Sequence, residues 1–266
     1  MSLVEFWKSS REQIENKTIE QLIAFAGGGK QRDGNDTPGE FRRFLSHIPS
    51  GLLQEYVDQC LGKSFTESGY VLQDIVNQVG ERLGFDITYG RYQGSSKEIG
   101  FDGVWKYPNG HNIIVEIKTT DAYRIDLNKI ADYRASLSQE GKISEQASSI
   151  LIIVGRNDTG DLEAQIRGSR HAWDMRLISI DALLSLLRTK EELEDPETVR
   201  RIYELLIPRE FTKLDEIIEL VFSTAEEAKL EEPEEEDAEI RSRSKKQTKK
   251  TKPVSFNDVC AARIED

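Results

Sequence analysis

The sequence predicts an α/β protein, a mixed β-sheet with helices, preceded by a helical N-terminal segment and followed by further helices. Apolar residues recur at helical spacing in residues 66–85, and two strand-like runs at 101–107 and 111–120 flank a Pro-Asn-Gly turn. A continuous apolar run at 148–156 lies between two helical stretches, as a buried parallel strand does. An antiparallel hairpin joined to a β-α-β unit requires a mixed sheet.

Residues 1–64 are the predicted helical N-terminal segment, because apolar residues recur at helical spacing in IEQLIAFA and in FRRFL. The stretch between them, GGGKQRDGNDTPGE, is predicted to be a loop. Its GGGK lacks the spacing of a phosphate-binding loop, and Gln31 follows Lys30 where that pattern has Ser or Thr. The sequence therefore does not favour a nucleotide site in this loop.

The core is predicted to span residues 65–190, with its elements in the order α-β-β-β-α-β-α-β. TESGYVLQDIVNQVGERLGF has one apolar face and reaches Gly84, which is typical of the end of an amphipathic helix. A first strand at 86–94 precedes the hairpin. The later elements are a helix at about 126–140, the strand at 148–156, a helix at 161–173, the short strand MRLISI and the helix DALLSLLRTK.

Beyond the core we predict two helices packed on it (191–228), a disordered charged linker (229–252) and the start of a further unit or a tail (253–266). The net charge of −12 is uneven, since residues 224–240 hold nine acids and one lysine and residues 241–252 hold seven bases. An acidic total does not exclude a DNA partner, because a cleft can be basic while the whole molecule is acidic. The basic run is either a non-specific DNA contact or a solvated linker.

Cysteine usage and hydropathy predict a cytoplasmic protein without a disulfide framework or a structural zinc site. Cys60 and Cys260 are far apart and have no Cys-x-x-Cys or Cys/His spacing. No apolar run is long enough to cross a bilayer, and the N-terminus lacks a signal-peptide pattern. No membrane partner is therefore expected.

The segment VEIKTT, residues 115–120, carries a carboxylate and an ammonium in an otherwise apolar strand. Glu116 and Lys118 are two residues apart and therefore lie on one face of that strand. Because unpaired buried charge is costly, both side chains need partners. Asp102, followed by Gly103 on the preceding strand, is the candidate partner.

The length of the hairpin loop decides whether Asp102 meets Glu116. A three-residue loop that ends with Gly110 in the left-handed conformation pairs Tyr107 with His111 and places Asp102 opposite Glu116. A two-residue Asn-Gly loop would send the two carboxylates to opposite faces of the sheet. The chemical interpretation therefore predicts the three-residue loop.

Asp102, Glu116 and Lys118 on one face would form a site for a hard divalent cation. Mg²⁺, with Mn²⁺ as a substitute, would bind the two carboxylates and the carbonyl oxygen of Ile117 and keep several waters. Lys118 would hold the attacking water and offset the charge that develops on a phosphate. The alternative is an exposed Glu-x-Lys pair, with Asp102 and Gly103 in an ordinary bend.

With Phe101-Asp102, thirteen intervening residues and Glu116-Ile117-Lys118 in α-β-β-β-α-β order, the chain resembles the PD-(D/E)XK nuclease superfamily over about residues 66–180. Phe101 stands where the superfamily name has proline. IGFDGVW, VEIKTTDAYRI and GRNDTGDLEAQIRGSRHAWDMRLISIDAL also resemble a group of uncharacterised bacterial proteins that are labelled restriction endonucleases. The resemblance implies a restriction endonuclease-like fold, a magnesium-dependent endodeoxyribonuclease (a hydrolase) and a role in restriction or phage defence.

The resemblance also implies further site residues on two helices. A polar residue of the later helix often points into such a site, and Gln165 is our candidate for this catalytic role. On the first helix, Gln73, Glu67 and Asp74 are the candidates for a helper at the metal. A solvated helix face is the alternative for each of these three residues.

Residues after the catalytic strand and on the later helix are the expected DNA contacts. The candidates are Thr119, Tyr123, Arg124, Arg167 and Arg170. Tyr123 and Arg124 could touch phosphate or sugar, or could cap the next helix instead. The two arginines suit phosphate through their fork of donors, or could pair with Asp161 and Glu163.

A homodimer or higher oligomer is expected, because cutting both strands of a duplex commonly uses two copies of a site. The N-terminal segment would then serve dimerisation or target recognition. The alternative function is a nuclease-fold module that binds DNA or assembles without cutting. The presence of Asp102, Glu116 and Lys118 together favours the enzyme, since a degenerate copy would have lost at least one of them.

Overall fold

The computed structural model describes residues 2–62, 65–93, 99–119, 124–155, 158–193 and 196–208, which belong to one compact unit. The predictions for residues 209–266, among them the second C-terminal helix, the charged linker and the terminal segment, lie outside the described residues. No helix of the described part has the length and apolar content that crossing a membrane requires.

In the described part of the chain, six helices precede the first strand. The helices are α1 (Leu3–Ser9), α2 (Arg11–Glu15), α3 (Ile19–Phe25), α4 (Thr37–Leu45), α5 (Ser50–Gly62), α6 (Ser68–Leu83), α7 (Leu127–Gln139), α8 (Gly160–Arg167), α9 (Ile180–Leu193) and α10 (Pro196–Leu206). The strands are β1 (Asp86–Tyr89), β2 (Gly103–Lys106), β3 (Asn112–Lys118), β4 (Ser148–Val154) and β5 (Met175–Ser179). From α6 to β5 the elements follow the predicted order.

The five strands form one sheet in the order β1-β2-β3-β4-β5. β1, β2 and β3 pair antiparallel, whereas β3, β4 and β5 pair parallel. The sheet is therefore mixed, and the predicted α/β class is confirmed. β4, which lies between two parallel neighbours, is buried at every residue, as the continuous apolar run predicts.

Helices cover both faces of the sheet. On one face, Val115 of β3 and Leu151 of β4 belong to a core that also contains residues of α6 and of the N-terminal helices, such as Phe41 of α4. On the other face, Ile114 and Ile152 pack with residues of α7 and α8. The N-terminal segment therefore shares one of the two hydrophobic cores with the sheet.

The helix α10 packs against the end of α6 and the hairpin. The hydroxyl of Tyr203 donates to the carbonyl of Leu83 at 3.1 Å, and its ring meets Phe85 edge-on with centroids 4.8 Å apart. Gly84 ends α6 in the left-handed conformation, with φ of +105°. A Cβ at Gly84 would lie only 2.4 Å from the Tyr203 hydroxyl, so glycine is required both for the turn and for the contact.

In the N-terminal half of the chain, the start of one helix and the end of one strand differ from the predicted positions. The predicted loop ends early, because α4 begins at Thr37 and Pro38 fits the first turn of a helix. β1 ends at Tyr89 instead of residue 94. At the next residue the backbones approach closely, since a Cβ at Gly90 would lie 1.8 Å from the carbonyl oxygen of Phe101.

The later helix is also shorter than predicted. α8 ends at Arg167, where Gly168 forms the C-cap, and turns occupy residues 168–174. Glycine is a poor helix former, which explains why the helix stops there although polar residues continue the pattern. Arg170 and His171 therefore lie on a turn and not at helical spacing after Gln165.

Candidate functional site

The loop between β2 and β3 has the predicted three residues. Tyr107 N donates to the carbonyl of His111 at 2.8 Å, which closes the hairpin. Gly110 N donates back to the carbonyl of Tyr107 at 2.9 Å, and Gly110 has a left-handed φ of +94°. This loop is the bulged turn that glycine at its last position favours.

The same register continues along the hairpin, where Gly103 lies opposite Val115. Asp102 precedes Gly103 by one residue, so it lies beside Glu116 and on the same face of the sheet. The carboxylates therefore approach each other as predicted.

The backbone of Ile117 faces Asp102. In the parallel ladder, Gly155 N donates to the carbonyl of Lys118 at 2.9 Å, so the backbone of Lys118 faces β4. Ile117, one residue earlier, faces the β2 side, but β2 begins only at Gly103. The carboxylate of Asp102 replaces the acceptor that β2 does not provide there, since its Oδ2 accepts from Ile117 N at 2.7 Å. The Ile117 carbonyl is directed to the same side of β3.

Glu116 and Lys118 form a close ion pair on this face of β3. Lys118 Nζ donates to Glu116 Oε1 at 2.5 Å. Glu116 is 8% exposed, whereas the side chain of Lys118 is 34% exposed. The carboxylate is therefore enclosed, and the ammonium can be reached from solvent.

The pKa of Asp102 is raised to about 7. Burial is the main cause, and the neighbouring charge of Glu116 adds to it. The hydrogen bond from Ile117 N and the charge of Lys118 act in the opposite direction and lower this pKa. The two neighbouring carboxylates have one ammonium beside them, so the group has an excess of negative charge that a bound cation would offset.

The oxygen atoms at this point are of the kinds that magnesium prefers as ligands. Two carboxylates and a backbone carbonyl are hard ligands, and Mg²⁺ commonly uses one or two carboxylates with waters in its other positions. Within the described ranges, no group of three His, Cys, Asp or Glu side chains could hold a metal. A cation here would therefore depend on Asp102, Glu116 and the carbonyl of Ile117.

Three donors fix the backbone of Asp102. Its carbonyl oxygen accepts from Gln73 Nε2 at 2.9 Å, Asn77 Nδ2 at 3.0 Å and Gly90 N at 3.1 Å. Gln73 and Asn77 are one turn apart on α6, so that helix holds the acidic residue in place. Gln73, a predicted helper, thus contacts the backbone of Asp102 by its side-chain amide.

Sequence reasoning missed Asn77. Its Oδ1 accepts from the indole Nε1 of Trp105 at 2.8 Å while its Nδ2 donates to Asp102. Gly103 makes room for this amide, since a Cβ there would lie 2.2 Å from Asn77 Oδ1. The available signal was a second amide four residues after Gln73 on a largely apolar helix.

Gln165 and Glu67 contact other parts of the molecule. Gln165 Oε1 accepts from Ile125 N at 3.1 Å, and its Nε2 donates to the Ile125 carbonyl at 2.5 Å. Both ends of this amide therefore fix the segment that precedes α7. Glu67 accepts from Gln31 N at 2.6 Å and from Arg32 Nε at 2.5 Å, which ties the start of α6 to the N-terminal loop.

The predicted DNA contacts are dispersed along the described surface. Arg167 pairs with Glu163 at 3.6 Å, the alternative that the sequence left open. Arg170 Nη2 donates to Asn128 Oδ1 at 3.3 Å. Thr119 is partly buried and Arg124 is exposed, both close to β3 in sequence, and Tyr123 lies outside the described residues.

Asp74 belongs to a buried polar cluster between α6 and the N-terminal segment. Its Oδ2 accepts from Gln31 Nε2 at 2.6 Å, Arg42 Nε at 2.9 Å and the hydroxyl of Tyr92 at 2.6 Å. Burial raises the pKa of Asp74 to about 6, although hydrogen bonds from these partners favour the charged form. The pKa of Arg42 is also raised, because the charge of Asp74 and its hydrogen bond more than offset burial. Asp74 therefore joins two parts of the core.

Comparison of the chain with models of protein families, with curated proteins and with solved structures gave no match. The five-stranded mixed sheet establishes the α/β class. The narrower restriction endonuclease-like fold stays a prediction.

Proposed function

We propose that this chain is a metal-dependent DNA endonuclease that hydrolyses phosphodiester bonds. One observation carries the proposal: the hairpin register brings Asp102 beside Glu116 and Lys118 and against the backbone of Ile117. Glu116 and Lys118 lie on β3, whose other residues are apolar except Asn112, and Asp102 joins them from the residue before β2. Structural ion pairs seldom need two neighbouring carboxylates, because like charges disfavour each other. A role in restriction or phage defence is proposed from the resemblance of the sequence.

The cation would be Mg²⁺, with Mn²⁺ as a substitute, held by Asp102, Glu116 and the carbonyl of Ile117. When bound, such an ion polarises a phosphate oxygen and lowers the pKa of a bound water. The chain contributes a fixed set of ligands: Asp102 is bonded at its carbonyl by three donors and at its carboxylate by Ile117 N. Ligands already in place lose little freedom on binding, which favours affinity.

Lys118 would act on the substrate side of the site. Its ammonium is partly exposed and bonded to Glu116, so it can meet a phosphate without leaving the cluster. There it would orient the attacking water and offset the negative charge that develops on the phosphate. A preorganised donor in such a position is typically worth ~3–4 kcal/mol, or roughly 10²–10³ in rate.

Cleavage of supercoiled plasmid and of short duplexes tests the proposal, with Mg²⁺, Mn²⁺ or EDTA present. The parent chain is expected to cut with either metal and not with EDTA. Asp102→Asn, Glu116→Gln and Lys118→Ala are each expected to lose at least ~10² in rate. Cleavage by these variants at the parent rate would remove the assigned roles.

Matched controls come from the neighbouring hairpin positions. Asp86→Asn and Lys106→Ala remove the same charges from an exposed cross-strand pair of β1 and β2. Both are expected to cut like the parent chain. If the parent binds duplex DNA but cuts under none of the conditions, the non-cutting DNA-binding module replaces the enzyme.

A further inference from the structure

A second candidate site lies away from the carboxylates. An open cleft of about 590 Å³ separates the start of α7 from the turn after α8, and residues 125–128, Gln165 and residues 168–171 line it. This volume falls in the range of ~300–1,000 Å³ that is typical of small-molecule sites and far exceeds what an ion or a water needs. Asp102, Glu116 and Lys118 do not line it.

The polar wall of the cleft has more donors than its own acceptors can use. His171 Nε2 lies 3.0 Å from Asn128 Oδ1 and 3.2 Å from Arg170 Nε. A ring nitrogen that donates to Asn128 has no lone pair for Arg170, and one that accepts from Arg170 cannot donate to Asn128. Whichever tautomer is present, one donor remains for a ligand.

Arg170 has no acidic partner among the described residues. In the described part of the chain, no carboxylate pairs with this guanidinium, whose Nη2 donates only to the neutral Asn128 oxygen at 3.3 Å. Asp126 lines the cleft too, but its Oδ1 accepts from Lys129 N at 3.1 Å as the N-cap of α7. An unpaired guanidinium beside a second donor suits the two oxygens of a phosphate.

The remainder of the cleft is suited to a base. Ile125 and Leu127 line it as buried apolar residues, each 6% exposed. An apolar wall beside a few polar groups is the usual lining of a site for a small organic molecule.

We propose that this cleft binds one nucleotide unit, with its phosphate on Arg170 and His171 and its base against the apolar wall of Ile125 and Leu127. The unit is either a free mononucleotide or an unpaired nucleotide within a DNA strand, which share this chemistry. Gln165 connects the cleft to the segment after β3 by its two bonds to Ile125. Only the strand-bound form rests on the proposed function.

Binding to the full chain in EDTA tests this site independently of cleavage. Calorimetric titrations use dAMP, a short single-stranded deoxyoligonucleotide and inorganic phosphate as separate probes. The parent is expected to bind dAMP or the oligonucleotide at least tenfold more tightly than inorganic phosphate. Binding of dAMP identifies a free nucleotide as a ligand, and binding of the oligonucleotide alone identifies the strand.

Substitutions test whether the nucleotide binds in this cleft. Arg170→Ala is expected to weaken nucleotide binding at least tenfold, whereas Arg188→Ala, which removes an exposed arginine of α9 that donates to Ser185, keeps the parent affinity. Equal affinity of Arg170→Ala and parent, equal binding of phosphate and nucleotide, or no binding of either nucleotide probe overturns the proposal. Arg170 is exposed, so thermal unfolding of its variant should match that of the parent.

Discussion

Asn77 connects the carboxylate site to the core through one amide. Its Nδ2 donates to the Asp102 carbonyl, and its Oδ1 accepts from the indole of Trp105. The other donors to that carbonyl, Gln73 and Gly90, leave Asp102 partly fixed without it. The indole N–H of Trp105 depends on Asn77, because Trp105 is fully buried.

Asn77→Ala is therefore expected to lower the free energy of unfolding by ~1–3 kcal/mol, the cost of a buried donor left unpaired. Urea denaturation followed by fluorescence measures the change. Gln54→Ala, which removes an exposed bond to Asp58, is the control and should change the value by less than ~0.5 kcal/mol. If Asn77→Ala unfolds at the parent midpoint, the indole has another partner and the amide does not hold the site.

Asp74 is expected to make stability depend on pH. Its pKa rises from the ordinary 3.8 to about 6 in the folded chain, chiefly by burial and against the charge of Arg42. A carboxyl that binds its proton more tightly when folded contributes stability that is fully present below the unfolded pKa. That contribution is lost as the pH rises through the folded pKa of about 6. The hydroxyl of Tyr92 and the amide of Gln31 belong to this cluster, because both donate to Asp74. The hydroxyl of Tyr89 also interacts electrostatically with Asp74.

Asp74→Asn isolates this contribution, because the amide does not titrate. The free energy of unfolding of the parent minus that of the variant should fall by up to ~3 kcal/mol between about pH 4 and about pH 7. Urea titrations at four pH values in this window measure the difference. A difference that rises with pH would mean that the ion pair with Arg42 outweighs burial.

α6 packs against β2 through a glycine. A Cβ at Gly80 would lie 2.6 Å from the buried ring of Trp105, so the helix and the strand approach more closely than alanine allows. Gly69 lies on the same helix and has no atom within 4 Å of its Cβ position. Substitution of each glycine by alanine therefore distinguishes the effect of close packing from the effect of helix propensity.

Gly80→Ala is expected to destabilise the chain by ~1–3 kcal/mol, since overpacking outweighs the gain in helix propensity of ~1 kcal/mol. Gly69→Ala, with open space, is expected to be neutral or to stabilise by up to ~1 kcal/mol. Thermal unfolding of the two variants beside the parent measures both. Stabilisation by Gly80→Ala would show that α6 can move away from Trp105 at little cost.

Patterns among neighbouring residues predicted the helices and strands, whereas residues distant in sequence decided which partners the polar side chains have. The requirement that Asp102 meet Glu116 predicted the three-residue loop and the hairpin register, because Asn109-Gly110 alone also fits a two-residue turn. Nothing local distinguishes Asp74 from a solvated helix residue, since its partner Arg42 lies 32 residues away. The amide of Gln165 met a backbone 40 residues away for the same reason. Residue type predicted that these side chains need partners but not which ones.

The N-terminal segment and the sheet unfold as one unit if they share a core. Phe44 of α4 is fully buried, and its ring contacts Trp7 and Tyr56, with centroids 6.1 Å and 6.4 Å away. The same core continues through α6 to Val115 of β3. A cavity at Phe44 should therefore destabilise strands to which Phe44 is connected only through this shared core.

Phe44→Ala is expected to cost ~3–5 kcal/mol, and hydrogen exchange in β4 reports whether the sheet shares this loss. The slowest amides exchange only on global unfolding. In Phe44→Ala, the faster exchange of the amides of Ser148–Val154 should therefore correspond to the full loss in the free energy of unfolding. Phe25→Ala, whose ring is 46% exposed, removes the same side chain from the same segment and should change this rate little. Unchanged exchange in β4 of Phe44→Ala would mean that the N-terminal helices unfold separately. In the shared-core case, any ligand that binds the sheet also stabilises the N-terminal helices, because linkage acts on the whole cooperative unit.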